Sequence, residues 1–142
     1  MMIKAIKFEK PWDVACVEKG NAGAEKRGEA LIRVRSAGIC GSDIGAYRGT
    51  NPLVSYPRVI GHEIAGEIIS ISEDNRGQLK PGDHVIVDPY LYCGHCYLCS
   101  IGRTNCCTDL KVLGVHAEGG MAEYLSILRA CWSDFRTICH GI

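Results

Sequence analysis

Four cysteines in one short segment place the strongest constraint on how this chain can fold. Cys93, Cys96, Cys99 and Cys107 follow the spacing CxxCxxCx7C within the segment CGHCYLCSIGRTNCC. Such spacing lets a backbone wrap a tetrahedral zinc ion, which takes four thiolates in structural sites. The segment has little apolar bulk, and zinc contributes roughly 10–16 kcal/mol to the folding of small zinc peptides. We therefore predict a structural zinc site, with reduced unligated thiols or a disulfide pair as the alternatives.

Composition limits the classes of protein to which the chain can belong. Its 142 residues fit one domain that can bury a core without disulfides. Sixteen basic residues balance 16 acidic ones, so no basic field attracts nucleic acid. Apolar runs are short and the N-terminal segment MMIKAIKFEKPWD carries charges, which predicts neither a membrane partner nor a secretory signal. Nine cysteines without a signal peptide favour the reducing cytoplasm.

Short β-like runs separated by glycine and proline dominate the pattern. Ala30, Ile32 and Val34 alternate with Leu31 and larger polar residues, as in a half-buried strand. Turn signals lie at Glu18–Gly28, Pro81-Gly82 and Gly119-Gly120. The strands we predict are Met2–Phe8, Glu29–Ser36, Ile64–Ile71, Asp83–Asp88 and Met121–Ile127. The chain is thus predicted to be mainly β and barrel-type, with the zinc segment as an excursion from about Tyr90 to Lys111.

The last fifteen residues follow a different pattern. Apolar side chains recur there at helical spacing, and Ser126 is in place to cap a helix. These residues are Leu128, Cys131, Trp132, Phe135, Ile138, Cys139 and Ile142. A short amphipathic helix and a poorly ordered tail are both compatible with this pattern.

A second group of residues suited to a metal lies outside the cysteine-rich segment. Cys40 lies in GICGSD directly after a predicted strand, and His62 and Glu63 lie in YPRVIGHEIAGEI directly before one. Three such ligands suit zinc and leave a fourth position for water or substrate, as in catalytic sites. Taken alone, Cys40 could equally be a small buried hydrophobe and the His-Glu pair a surface feature. The residues by themselves leave this second site open.

Five motifs in a fixed order carry a resemblance to a known family. They are GICGSD, YPRVIGHEIAGEI, LKPGDHVIVDP, CGHCYLCSIGRTNCC and EGGMAEYLSI. In order and spacing they resemble the N-terminal GroES-like catalytic domain of zinc-dependent medium-chain alcohol dehydrogenases. The match runs from about Met2 to Ile127 and is most similar to the sorbitol, threonine and sugar-acid dehydrogenase branch. It implies a GroES-like, β-barrel-type domain over residues 1–127 with short helices and a zinc lobe at about 90–111.

The resemblance also implies a role for each residue of the second group. Cys40, His62 and Glu63 would surround a catalytic zinc ion. Ser42 would pass the alcohol proton toward solvent, and Asp43 would accept a hydrogen bond from His62. A partner of that kind fixes the orientation and tautomer of a ligand histidine.

In the cysteine-rich segment the resemblance implies the structural zinc lobe, with Cys107 as the fourth ligand. Cys106 is then left over, although a register in which Cys106 binds instead stays open. We expect His95 to point outward and expect no functional part for His84 or His116.

The chain departs from the family pattern in three respects. It contains no GxGxxG motif of a Rossmann domain, so NAD(P) is expected in a full-length form alone, and we expect no turnover from the chain by itself. From Leu128 the segment LRACWSDFRTICHGI diverges, as a truncation, a frameshift or a deliberate cut would produce. Gly45 stands where many polyol and threonine dehydrogenases carry histidine.

Three functional hypotheses follow from the sequence. The first is a catalytic domain that oxidises a secondary alcohol, meaning a polyol, sugar acid or amino alcohol, with hydride transfer to NAD(P). The second is a non-catalytic zinc-binding or interaction module that keeps the lobe but is idle at Cys40. The third, a nucleic-acid-binding zinc module, conflicts with the absence of net charge. The candidates for pocket lining, or for an exposed loop, are Tyr47, Arg48 and Tyr56. Members of the family are often oligomers, so a homo-oligomer is compatible with the resemblance.

Overall fold

The computed structural model of the protein describes residues 2–20, 29–72 and 79–128. The described part is mainly β with short helices, as predicted. Its strands are β1 Met2–Lys10, β2 Asp13–Gly20, β3 Glu29–Ala37, β4 Arg58–Val59, β5 Ile64–Ile71, β6 His84–Val87, β7 Tyr90–Leu91, β8 Lys111–Val112 and β9 Tyr124–Leu128. The helices are α1 Gly41–Arg48, α2 Tyr97–Ser100 and a 3-10 turn at Thr104–Cys106.

The first sheet is an antiparallel hairpin with a short third strand, in the order β2-β1-β4. Met2 lies opposite Gly20, and Phe8 lies opposite Val14. Strand β2 was not predicted, because its residues alternate between half-buried and exposed and none of them is fully buried. The turn signal at Glu18–Gly28 begins inside β2, and residues 21–28 lie outside the described part of the chain.

The second sheet has the order β6-β5-β3-β9, with every neighbouring pair antiparallel. Its inner face is the main core, where Ile32, Ile64 and Ile68 are 1% exposed or less. The predicted alternation in β3 is confirmed, since Ala30 and Ile32 are buried while Arg33 is exposed. Burying three such side chains stabilises the domain by about 1.5–3 kcal/mol each.

A short segment before β9 joins the two sheets. Ile6 N–H donates to the Met121 carbonyl at 2.8 Å, and Glu123 N–H donates to the Lys4 carbonyl at 3.1 Å. On the other side Val34 N–H donates to the Glu123 carbonyl at 3.0 Å. Strand β9 therefore begins at Tyr124 rather than at the predicted Met121, because the preceding residues bond to β1 of the first sheet as well as to β3 of the second.

A second, smaller core lies under α1. It consists of Phe8, Ala46, Val54 and Ile60, with partly buried side chains around it. Phe8 belongs to the first sheet, so α1 is held against the hairpin. This packing fixes the position of the residues at the start of α1.

The cysteine-rich excursion is closed at its base by the β7–β8 ladder, in which Tyr90 lies opposite Val112. Between positions 92 and 110, all of which the structure describes, Cys107 is the one buried residue. The segment thus has almost no hydrophobic core, as its sequence predicted.

The structure contradicts one prediction at the end of the chain. Ser126 lies inside strand β9 and its hydroxyl donates to Glu29 Oε2 at 2.8 Å, so it does not cap a helix. Leu128, the first residue of the predicted helical pattern, is the last residue of β9 and lies opposite Glu29, and residues 129–142 lie outside the described residues. Within the described ranges no helix has the length and hydrophobicity needed to cross a bilayer.

Candidate metal centres

Antiparallel pairing of β3 and β5 brings the first group of candidate ligands together. Ala37 at the end of β3 lies opposite Ile64 at the start of β5. Cys40 follows the first strand and His62 precedes the second, so both lie at the same edge of the sheet. Cys40 Sγ is 3.1 Å from His62 Nε2.

Glu63 completes this group. One ligand atom from each of Cys40, His62 and Glu63 lies within 4.8 Å of the others. Cys40 and His62 are half-buried, whereas Glu63 is exposed. A thiolate, an imidazole nitrogen and a carboxylate oxygen are the donors that zinc accepts in proteins, so these residues fit a zinc ion.

Helix α1 sets the position of Cys40. Cys40 is the residue that precedes the first turn, and its backbone N–H donates to Asp43 Oδ2 at 3.0 Å. Asp43 is 4% exposed. A side-chain oxygen three residues into a helix that bonds the N-cap amide is a common N-terminal arrangement, although here the N-cap is cysteine. The helix escaped prediction because its buried positions are Asp43 and Ala46, which give no apolar stripe.

Asp43 also approaches His62, but not within hydrogen-bond range. Asp43 Oδ1 is 3.6 Å from His62 Nδ1, a distance longer than an N–H···O bond. His62 Nδ1 is buried and has no other hydrogen-bond partner within the described ranges. The geometry leaves Asp43 as the nearest acceptor for the proton that this ring nitrogen carries when Nε2 binds a metal.

Ser42 lies on the exposed side of the group. Its Oγ is 2.8 Å from Cys40 Sγ and 3.3 Å from His62 Nε2. A hydroxyl in this position can both donate and accept a proton. It therefore connects the ligand cluster with solvent.

A cleft adjoins the same cluster. It has a volume of about 540 Å³ and includes His62 and Glu63 in its lining. The rest of its lining includes Ile86 and Val87 of β6, the neighbouring strand of the same sheet, followed by Pro89 and Tyr90. This part of the cleft was not predicted, although it lies in the run DHVIVDPY directly before the cysteine-rich segment. Concave sites of this size, largely apolar with a few polar groups, are typical of small-molecule binding.

The second group of ligands is the cysteine-rich segment. The four sulfurs of Cys93, Cys96, Cys99 and Cys107 lie within 4.8 Å of one another. Backbone amides point at these sulfurs: Cys93 N–H donates to Cys107 Sγ at 3.3 Å, and Cys96 N–H donates to Cys93 Sγ at 3.4 Å. Four thiols around one point, each close to amide donors, fit a tetrahedral structural zinc ion.

The pKa values in this segment reflect the same amides. Hydrogen bonds from the backbone of Thr108 and Cys99 lower the pKa of the Cys96 thiol to about 5. The Cys93 backbone amide likewise lowers the pKa of Cys107. Burial, the largest cause, and the neighbouring sulfurs together raise the pKa of Cys99 to about 12. Amide donors favour the thiolate form that zinc binds, whereas crowded thiolates oppose one another unless a cation lies among them.

The remaining predicted residues lie outside both groups. Cys106 is exposed in the 3-10 turn, and the structure groups Cys107 rather than Cys106 with the other three cysteines. His95 is exposed, with Nδ1 2.9 Å from the Cys93 carbonyl. His116 Nδ1 accepts a hydrogen bond from Val112 N–H, and His84 is exposed on β6.

The three candidates for pocket lining have other surroundings. Tyr47 stacks at a tilt on Phe8 with ring centroids 5.7 Å apart, and the Tyr56 hydroxyl donates to the Ala46 carbonyl. Arg48 is exposed at the end of α1. The two tyrosines belong to the packing around the smaller core.

Comparison with known proteins agrees with this arrangement. The family model for the alcohol dehydrogenase GroES-like domain matches residues 26–132. The chain is 57% identical over 123 residues to an uncharacterised zinc-type alcohol dehydrogenase-like protein of Haemophilus influenzae, covering 87% of this chain and 36% of that protein. It is 54% identical over 99 residues to L-galactonate-5-dehydrogenase of Escherichia coli, covering 70% of this chain and 29% of that enzyme.

Solved structures show the same fold. A crystal structure of an Escherichia coli alcohol dehydrogenase, RspB, in complex with NADH has a TM-score of 0.82 and 45% identity, covering 92% of this chain and 37% of that one. Galactitol-1-phosphate dehydrogenase from Escherichia coli has a TM-score of 0.83 and 29% identity, covering 90% of this chain and 36% of that one.

The chain belongs to the zinc-dependent medium-chain alcohol dehydrogenase family, and its described part has the fold of the GroES-like domain of that family. It spans about a third of the length of the curated relatives that it matches.

Proposed function

We propose that this chain is the catalytic domain of a zinc-dependent dehydrogenase that oxidises a secondary alcohol and passes the hydride to NAD(P). The observation that carries the proposal is the convergence of Cys40, His62 and Glu63 within 4.8 Å at the edge of an open cleft. In this proposal they hold a catalytic zinc ion and leave one coordination position free for the substrate oxygen.

Oxidation of an alcohol requires that a hydride leave the carbon and a proton leave the oxygen. A zinc ion held by these residues would act as a Lewis acid and lower the pKa of the alcohol hydroxyl. Ser42 Oγ lies 3.3 Å from His62 Nε2 and is exposed, so it would accept the alcohol proton while it donates its own hydroxyl proton to solvent. The electron pair of the C–H bond goes with the hydride, and the alcohol carbon becomes a carbonyl.

Asp43 supports this chemistry from behind the imidazole. Its carboxylate is 3.6 Å from His62 Nδ1 and is held in place by the Cys40 backbone amide. A closer approach in the zinc-bound form would make this contact a hydrogen bond, which would orient the ring with Nε2 free to bind the metal. One carboxylate would thus position two of the three proposed ligands.

The wall of the cleft binds the carbon skeleton of the substrate in this proposal. Ile86 and Pro89 add apolar surface to the lining that contains Glu63, and Tyr90 adds an aromatic ring. Apolar surface of this kind is suited to contact with the carbon atoms of a substrate.

The substrate class rests on the named relatives. They include L-galactonate-5-dehydrogenase and D-altritol 5-dehydrogenase, at 54% and 43% identity, and L-threonine 3-dehydrogenases at 38%. We assign this chain to sugar acids or polyols ahead of amino alcohols because identity to the first two enzymes is higher. Reduced thiols, and therefore a cytoplasmic location, are part of the proposal.

In this proposal the cysteine-rich lobe holds a second, structural zinc ion. Nucleotide binding is assigned to a part of the enzyme outside these 142 residues. The 142 residues contain no GxGxxG motif, so none of them is given a part in holding NAD(P). In the relatives that extend further, such as the RspB structure with NADH, a nucleotide is bound. We infer that a nucleotide-binding domain completes the enzyme.

A chimera tests the proposed activity directly. Residues 1–127 are joined in frame to the remainder of the Haemophilus influenzae relative, which is 57% identical. With sugar acids, polyols and threonine as substrates, NADH or NADPH formation is expected from the chimera and from its Cys106→Ala control. Cys40→Ala should abolish it. Equal turnover by the Cys40→Ala chimera, or none by any chimera that binds the nucleotide, would contradict the proposal.

A further inference from the structure

Gly38 faces Glu63 across the edge of the second sheet. The two residues lie one step beyond the last registered pair of β3 and β5, Ala37 and Ile64. Gly38 N–H donates to the Glu63 carbonyl at 2.8 Å, which continues the ladder to this step. The backbone of Gly38 is therefore fixed directly beside the side chain of Glu63.

Glycine is required at position 38 because a side chain would not fit there, and not because of the backbone conformation. Glycines with positive φ occur at other described positions, but Gly38 is not among them, so an L-residue can adopt its backbone angles. A Cβ added to Gly38 would lie 2.3 Å from Glu63 Oε2 and 3.0 Å from Glu63 Cβ. The Glu63 carboxylate occupies the space that any side chain at position 38 would take.

We propose that Gly38 is a positioning residue for Glu63 and that its missing side chain lets the Glu63 carboxylate lie beside Cys40 and His62. This inference rests on the proposed metal site, in which Glu63 is a ligand. The closest atom to the added methyl is the end of a flexible side chain, so a residue larger than glycine displaces the carboxylate, whereas Glu63 Cβ has to move by only a few tenths of an ångström. Gly38 thereby determines whether the site has two or three protein ligands.

Gly41 supplies a matched control on the other side of Cys40. It also lacks a positive φ, and a Cβ added there would meet no atom within 4 Å. Gly41→Ala therefore adds the same methyl group near Cys40 without touching Glu63. Any general effect of an added methyl next to Cys40, at the start of α1, appears in this variant.

A double-mutant cycle on Zn²⁺ affinity tests the inference. Zn²⁺ binding to the 142-residue chain is measured by competition with a chromogenic chelator, and Cys40→Ala gives the baseline of the lobe alone. We expect G38A to weaken the site about 10- to 100-fold, the range for disturbed outer contacts of a metal site, and E63A, which removes a ligand, to weaken it at least as much. G41A should bind as the unsubstituted chain, and G38A/E63A should bind no more weakly than E63A.

The outcomes separate the inference from the proposed function. If E63A has no effect, Glu63 is not a ligand and the proposed site itself is wrong in this respect. If E63A weakens binding while G38A does not, or if G38A weakens binding equally in the E63A background, the part given to Gly38 is overturned. Should G38A lower the thermal midpoint strongly, recovery of the midpoint in G38A/E63A supports the clash, and failure to recover contradicts it.

Discussion

At the scale of single residues, Asp43 is the buried carboxylate that contacts both Cys40 and His62 in the described part of the chain. It is buried, it accepts the Cys40 backbone amide, and it lies 3.6 Å from His62 Nδ1. Buried carboxylates are rare unless they are paired or hydrogen-bonded. A single side chain thus connects the start of α1 with the proposed metal ligands.

Replacement of Asp43 should separate these two contributions. Asp43→Ala leaves the Cys40 amide without its acceptor and should cost about 0.5–2 kcal/mol of unfolding free energy, measured by urea titration. Asp43→Asn retains a capping oxygen, so we expect a stability close to that of the unsubstituted chain but a zinc affinity about 10- to 100-fold lower. Unchanged zinc affinity in both variants would show that Asp43 does not support His62.

Cys106 and Cys107 offer a second comparison at this scale. Cys107 is buried within the sulfur cluster, whereas Cys106 is exposed beside it. Cys107→Ala should therefore release the zinc of the lobe, while Cys106→Ala should keep it, as measured by metal analysis of the purified proteins. The reverse result would assign the fourth ligand position to Cys106.

At the scale of elements, the β3–β5 pair positions the proposed catalytic site. Gly66 in β5 allows the strands to approach, because a Cβ there would lie 2.5 Å from the Arg33 carbonyl oxygen and from Ile32 Cγ2. These neighbours are backbone and buried core, which cannot move away freely. The same register that forms the core also brings Cys40 to His62.

Gly66→Ala should consequently affect both stability and the metal site. We expect a loss of about 1–3 kcal/mol, the usual range for overpacking, together with weaker zinc binding at Cys40. Gly20→Ala serves as the control, since Gly20 ends β2 with no atom within 4 Å of an added Cβ. If the two variants unfold at the same urea concentration, the close approach of β3 and β5 does not limit the fold.

The cysteine-rich lobe should depend on metal more than any other described element. Only Cys107 is buried between positions 92 and 110, so little but zinc can hold this segment in place. After chelation we expect trypsin to cleave faster at the exposed Arg103, as followed by mass spectrometry, while the far-UV spectrum of the sheets persists. Equal cleavage at Arg103 with and without zinc would indicate that the lobe is stable without metal.

Sequence predicted the strands whose apolar residues alternate and missed those that tertiary contacts create. β3 was found because Ala30, Ile32 and Val34 give the period of a half-buried strand, and β5 because Ile64–Ile71 is a short β-like run. β2 has no buried residue, and β7 and β8 are two residues long, so their pairing partners define them. Helix α1 has a buried carboxylate where a helical pattern expects an apolar residue.

The candidate sites show the same division. Close spacing made the four-cysteine group predictable, because its ligands lie within fifteen residues of one another. Cys40 and His62 are 22 residues apart, and their proximity depends on the β3–β5 register, which local patterns do not specify. The space beside Gly38 and the cleft wall at Tyr90 depend on that register too, and neither was predicted.

At the scale of the whole molecule, the chain combines two metal-ligand groups of different character. The lobe group is formed by neighbouring cysteines and holds a segment without a core, whereas the edge group adjoins an open cleft. This difference between the two ligand groups supports our proposal that one zinc ion is structural and the other catalytic. We propose that nucleotide binding depends on further sequence, since this chain spans about a third of the length of its relatives.

The zinc content of the Cys40→Ala variant is a direct test of whether Cys40 belongs to a second, catalytic zinc site. The account predicts two zinc ions per chain in the unsubstituted protein, one for each ligand group, and one in Cys40→Ala, retained by the lobe. Metal analysis of both purified proteins under reducing conditions provides the measurement, and Cys106→Ala, with two ions, is its control. A Cys40→Ala protein that still holds two zinc ions would contradict the proposed catalytic site.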